Sequence, residues 1–274
     1  MAVTRLIERR VEKVWGRRDL PAPFGPVAED AEPVGEIWFE HPARDDLPLL
    51  VKYLFTSEKL SIQVHPDDSA AREAGHRHGK DEAWLVLHAE PGATIGLGLK
   101  DRMGKEELRA AAIDGSIEQL LDWRRAAADD FLHSPAGTVH AIGPGVSLIE
   151  IQQNVDLTYR LYDYGRPREL HLDEGIEAAD PGPYECPMQP VKLGEGRQLL
   201  AEGSAFAVER WRGQRERVLD CGNGPVWLVM VSGSGMADGE KLEPGSVWLA
   251  EGSLSLRLDE GAELLLASPG PLRR

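Results

Sequence analysis

Cysteine is scarce: Cys186 and Cys221 are the only two in 274 residues. They are spaced as neither a metal-binding nor a redox pair, and two cysteines make no disulfide framework. Long apolar runs are missing as well. The longest, such as WLVMV (227–231) and ELLLA (263–267), fall far short of the ~20 residues that cross a bilayer. The opening MAVTRLIERRVEKVWG carries basic residues but no apolar core of a secretory signal. Positive charge is outnumbered, with 31 Lys and Arg against 46 Asp and Glu and a net charge of −15. Broad nucleic-acid binding needs a basic face and is excluded. An anionic substrate must then be held by a local basic cluster acting against the overall field. No low-complexity tract is present. These absences predict a soluble cytoplasmic protein with neither nucleic acid nor membrane as partner, and the length is ample for a sizeable core.

What is present is a chain rich in Gly and Pro with short apolar runs between them, which favours sandwich or barrel architecture over a helical bundle. KYLF, KLSIQV, EAWLVLHA, TIGLGL, VSLIEIQQ and LTYRLYDY read as strands. GKEELRAAAIDGSIEQLLDWRRAAA (104–128) reads as helix, dense in Ala, Glu, Leu and Arg, with Gly115 dividing it in two. DDSAAREAG (67–75) reads as a short helix that Asp67, Asp68 or Ser69 can cap and Gly75 can close. A Pro-rich stretch from Asp180, ADPGPYECPMQP, is a linker candidate.

The chain also echoes itself. EAWLVLHAEPGA (82–93) resembles PVWLVMVSGSGM (225–236), aligning Trp84 with Trp227, and PAGTVHAI (135–142) resembles AEGSLSLRL (250–258), aligning Gly137 with Gly252. The longer spacing in the first copy accommodates the helical block. The expectation is two related β-barrels, the first with a helical insertion at about 101–128. The echo is lopsided in chemistry: Pro225 stands opposite Glu82 and Ser255 opposite His140, so a metal site would belong to the first copy only.

Candidate ligands follow from strand alternation. In SIQVH, Gln63 and His65 share one face and Ile62 and Val64 the other. With Glu82 opening the next strand and His140 in AGTVHAIG, two imidazoles, a carboxylate and an amide oxygen form a set suited to zinc, with cobalt, manganese and iron also compatible. The rival set takes His76 and His78 of the loop GHRHG with Glu82 and His140.

LSIQVHPDD, GKDEAWLVL, PAGTVHAIG and NVDLTYRLYDYGRPREL, in that order, resemble the type I phosphomannose isomerases of the cupin superfamily, in their shorter bacterial class. The resemblance is dense between residues 50 and 175 and thin beyond 180. It implies a mainly β fold of two cupin domains, a metal-binding catalytic one over 1–179 and a degenerate one over 180–274. It implies one Zn2+ held by Gln63, His65, Glu82 and His140, a catalytic Arg160 with Asp156 as base or as its orienting partner, and Lys80 as base or proton shuttle. Lys52, Ser61 and Arg160 fall on substrate-binding positions. The activity implied is interconversion of mannose 6-phosphate and fructose 6-phosphate through an enediol, with a phosphorylated hexose as partner. The alternatives are an isomerase of another, unphosphorylated sugar and a non-catalytic sugar-binding cupin. The chain departs from the family at RAAADDF, where a Gly-Asp turn is usual, and it lacks the large helical domain of longer members.

Overall fold

The computed structural model describes residues 3–222 and 224–271 and is mainly β, with four antiparallel sheets. A six-stranded sheet runs, in spatial order, Ile7–Arg17, Val34–Glu40, Leu49–Phe55, Val146–Gln153, Glu82–Ala89 and Phe131–Ser134. A five-stranded sheet runs Tyr159–Tyr162, Ile62–Val64, His140–Ile142, Thr94–Leu99 and Leu121–Arg125. The C-terminal half supplies a seven-stranded sheet, Val3–Arg5, Val247–Ala250, Val226–Ser232, Glu263–Pro269, Phe206–Arg212, Arg197–Glu202 and Val191–Gly194, and a four-stranded one, Arg215–Asp220, Ser253–Leu258, Gly235–Ala237 and Glu240–Leu242.

The echo in the sequence is a repeat of topology. From Val34 to Gln153 the chain lays down strands that match, one for one in chain order and in place within the sheets, those laid down from Arg197 to Pro269. The helix Lys105–Asp114 and the turn of helix Ile117–Leu120 interrupt the first set where the second has a tight turn after Ala237. The match of individual residues is shifted, however. Trp84 lies edge-on to His140, with ring centroids 5.3 Å apart, whereas Trp227 faces the other way, into the core shared by the two largest sheets. Likewise Ser255 is exposed while its neighbours Leu254 and Leu256 are buried. The alignment of Trp84 with Trp227 and of His140 with Ser255 is therefore correct by strand and wrong by face, because a shift of one residue turns a side chain to the opposite side of a sheet.

The helical block is shorter than expected. Helix ends at Leu120, and Leu121–Arg125 pairs with Thr94–Leu99. Gly96 makes room for this: a Cβ there would lie 2.2 Å from Leu121 Cδ2. The Gly115 break holds, with φ +84°.

One core, containing Ile37, Val51, Phe55, Phe206, Val208, Trp227 and Leu265, fills the space between the six- and seven-stranded sheets, so the two halves share buried apolar surface. The first strand, Val3–Arg5, joins the C-terminal half's sheet by pairing with Val247–Ala250. Among the described residues no helix is long and apolar enough to cross a membrane.

Candidate metal centre and active site

Ile62 and Val64 are fully buried in the core, which turns Gln63 and His65 to the opposite face, toward the space between the two sheets of the N-terminal half. His140 pairs in register with Gln63, and Arg160 pairs with Gln63 from the other side. Glu82 enters from the six-stranded sheet, opposite Gln152. Three strands thus bring His65, Glu82 and His140 together, each with a ligand atom within 4.8 Å of the others and each all but inaccessible to solvent.

The hydrogen bonds settle which imidazole nitrogens point inward. His65 Nδ1 lies 2.8 Å from Leu157 O and His140 Nδ1 lies 2.9 Å from Thr138 O. A carbonyl only accepts, so each Nδ1 carries a proton and each ring turns its Nε2 toward Glu82. His140 Nε2 is 3.0 Å and His65 Nε2 3.4 Å from Glu82 Oε1. Burial is the main reason that His65 is held down to about 3 and stays neutral, with the Lys80 ammonium adding to it. Neither oxygen of Glu82 accepts an aligned hydrogen bond. Two Nε2 atoms facing a buried carboxylate suit a cation between them, and imidazoles whose Nδ1–H is anchored on a carbonyl are the usual preparation for metal binding. The donor set therefore fits a divalent transition metal. Gln63 adds its amide, which lies 3.2 Å from His140 Nε2, and the Ser61 hydroxyl donates to Gln63 Oε1 at 3.1 Å. Ser61, expected to touch substrate, is buried beside Gln63 and orients it.

Lys80 is the local cation. Its ammonium is 3.1 Å from Glu82 Oε2 and 3.2 Å from His65 Nε2. Gly79 lets it reach there. A Cβ on Gly79 would fall 2.4 Å from Pro66 O and from the Asp67 carbonyl carbon, so only glycine lets this loop lie across the Pro66 turn. Lys80 N–H donates to Pro66 O, and Asp68 accepts from Gly79 N–H at 2.8 Å. The Glu82, Glu150 and Glu36 carboxylates outweigh desolvation and raise the Lys80 pKa.

Lys52 is buried between Glu150, at 3.3 Å, and Glu36, at 3.6 Å, over the face of Trp38. Lys52, expected at the substrate, is engaged by these two carboxylates. Glu150 also accepts from Trp84 Nε1 at 3.1 Å. Glu36 and Glu150 were not foreseen as part of the site. The signal was available in VSLIEIQQ, where one glutamate interrupts an otherwise apolar centre.

Arg160 Nη1 donates to Glu169 O at 2.8 Å, and its buried Nε has no hydrogen-bond partner. Desolvation first, then Arg168 and Arg166, pull its pKa down, and a guanidinium nonetheless stays charged. Asp163, 2% exposed, pins Arg166 at 2.8 Å and Arg168 at 2.6 Å beside it. Asp156 is exposed and acts electrostatically on Arg9, so its expected role as the partner that orients Arg160 is not realised. His76 is exposed, and His78 Nδ1 lies 3.2 Å from Gly79 O; neither joins the cluster, which removes the rival ligand set.

The chain is 40% identical over 234 residues to the mannose-6-phosphate isomerase ManA of Bacillus subtilis, a match covering 77% of this chain and 72% of that protein. The chain belongs to the mannose-6-phosphate isomerase family. Another member, from Streptococcus mutans, is 36% identical over 194 residues, 66% of this chain and 61% of that protein, so the match spans less than two thirds of that relative's length. A crystal structure of mannose 6-phosphate isomerase from Bacillus subtilis superposes with a TM-score of 0.83 at 26% identity, covering 97% of this chain and 99% of that one. No family model matches. As expected from its motifs, the chain thus shares sequence and fold with mannose-6-phosphate isomerases, and its buried cluster lies within the N-terminal half.

Proposed function

We propose that the protein is a cytoplasmic, zinc-dependent mannose-6-phosphate isomerase, interconverting mannose 6-phosphate and fructose 6-phosphate. The observation that carries this reading is the inward turn of two Nδ1-anchored imidazoles onto the carboxylate of Glu82, which accepts no aligned hydrogen bond, with Gln63 and Arg160 in register beside them. Gln63, His65, Glu82 and His140 would hold the ion. The two matched sets of strands are read as two cupin domains, a catalytic one over 1–179 and one over 180–274 that kept the scaffold without the ligands.

Aldose–ketose exchange moves a proton between C1 and C2 and develops negative charge on a neighbouring oxygen. Zinc bound at this cluster supplies Lewis-acid stabilisation of that charge. Lys80 lies 3.1 Å from Glu82, and a cation held there would offset that carboxylate's pull on the Lys80 proton, leaving Lys80 placed to exchange a proton with substrate carbon. This favours Lys80 over the exposed Asp156 as base. Arg160 offers its unpartnered Nε–H to substrate oxygen. Arg166 and Arg168, set by Asp163, surround Arg160 with the positive charge a phosphate requires. Lys52 acts on the site through Glu150, and Ser61 acts through Gln63.

Comparing mannose with mannose 6-phosphate as substrates tests this assignment. The phosphate should raise kcat/KM by a factor of about a hundred or more, and Arg166→Ala should remove most of that advantage. Equal turnover of the two sugars would point instead to an unphosphorylated substrate.

A further inference from the structure

The C-terminal half has a cavity where the N-terminal half has its metal cluster. In the N-terminal half, His65 follows the strand Ile62–Val64, Glu82 opens the next strand, and Gln152 and Gln153 close the strand beside it. The matching points of the C-terminal half are Asp220, Val226 and Ser268, and all three line a cavity of about 280 Å³. That volume is close to the lower bound for small-molecule sites. The second half has therefore kept the opening and changed what lines it.

The lining carries two arginines, Arg197 and Arg217, against Glu209 and Asp220, and Arg215 stands next to it. Trp211, 2% exposed, is ringed by three guanidiniums, those of Arg197 at 4.9 Å, Arg217 at 5.3 Å and Arg215 at 5.4 Å from its centroid. Glu209 answers one of them. Its Oε2 accepts from Arg197 Nη2 at 2.7 Å and from Trp211 Nε1 at 2.8 Å, which leaves Oε1 clear of both. Among the described residues neither Arg215 nor Arg217 forms an ion pair, although Glu195 O accepts from Arg215. Arg217 lines the cavity and is exposed at its mouth. Crowding by Arg217 and Arg197, added to burial, lowers the Arg215 pKa. Val226 and Leu266 supply an apolar wall, and Ser268 and Asp220 supply polar atoms. Arg217, with no ion pair among the described residues, beside an aliphatic wall and the Ser268 hydroxyl, matches a ligand with an anionic head and a small polar body.

We propose that this cavity binds a small organic oxyanion, a phosphate ester or a carboxylate, at a site separate from the metal cluster. Its ligand bonds to Arg217, against Val226 and Leu266, with its hydroxyl groups toward Glu209 and Ser268. The site is independent of the proposed isomerisation and stands whether or not that reading holds.

The Trp211 indole N–H reports on the cavity directly. The seven tryptophans give seven indole signals in a nitrogen–proton correlation spectrum, and Trp211→Phe assigns the one that matters. Full-length protein is titrated separately with glycerol 3-phosphate and with succinate. A saturable shift of the Trp211 signal is expected with at least one of them, and which one responds identifies the anion class. Arg217→Glu should weaken that binding by about tenfold or more and leave isomerase turnover unchanged. Arg160→Ala should leave the shift intact. No saturable shift with either anion, or an undiminished shift in Arg217→Glu, overturns the proposal.

Discussion

His65 and His140 are equivalent in how they are held: each donates Nδ1–H to a backbone carbonyl and turns Nε2 to Glu82. His65→Ala or His140→Ala should therefore lower metal affinity by about a hundredfold or more, while His76→Ala and His78→Ala leave it unchanged, as measured by competition with a chelator. Arg160→Ala should keep the metal and lose about 10²–10³-fold in kcat/KM; near-normal turnover would remove Arg160 from the mechanism. Glu36 behaves differently. Its carboxylate is pulled down to about 2 by Lys52, then Lys13 and the Trp38 N–H, which together outweigh its burial. A depressed carboxylate contributes stability that is full above its unfolded pKa, near 4.5, and is lost as pH falls toward 2. Melting temperatures over that range should fall less steeply in Glu36→Gln than in the wild type. At this scale the sequence was legible wherever alternation decided a face, as in SIQVH. It was silent on Glu36, because nothing local tells that buried, paired carboxylate from a solvated one, whereas Glu150 stood out as the one charge in VSLIEIQQ.

Among the elements, the loop His76–Lys80 shows how a backbone position governs a side chain. Gly79→Ala should push the loop off the Pro66 turn, destabilise the protein by about 1–3 kcal/mol and carry Lys80 away from Glu82. The diagnostic result is a fall in turnover with metal content preserved; full turnover would show that Lys80 tolerates displacement. The strands of the site could be read from their apolar alternation, and the Asp67 cap of the following helix from composition, since Ala70 N–H does donate to Asp67 at 2.8 Å. LDWRR could not. Its residues continue a helix-favouring stretch, and only pairing with the distant strand Thr94–Leu99 across Gly96 makes it extended.

Across the whole molecule, the repeat of strand order was faintly visible in two echoes. Which face of Trp227 is buried was not, since that depends on the sheet of the other half packing against it. The shared core makes the two halves one cooperative unit, and the Arg210 and Arg212 pairs with Asp129 and the Arg44–Glu251 pair, at 3.0 Å, tie them further. Calorimetry should show a single unfolding transition, with Trp227→Ala costing about 3–5 kcal/mol across the entire molecule rather than in the C-terminal half alone. Two separate transitions would show that the halves fold independently.

The most direct test of the central claim measures zinc and mannose 6-phosphate isomerisation together on one preparation. The expected result is about one zinc per chain, activity that disappears on chelation and returns with added zinc, and loss of both metal and activity in His140→Ala. Full metal occupancy in His140→Ala, or activity that persists after chelation, would contradict it.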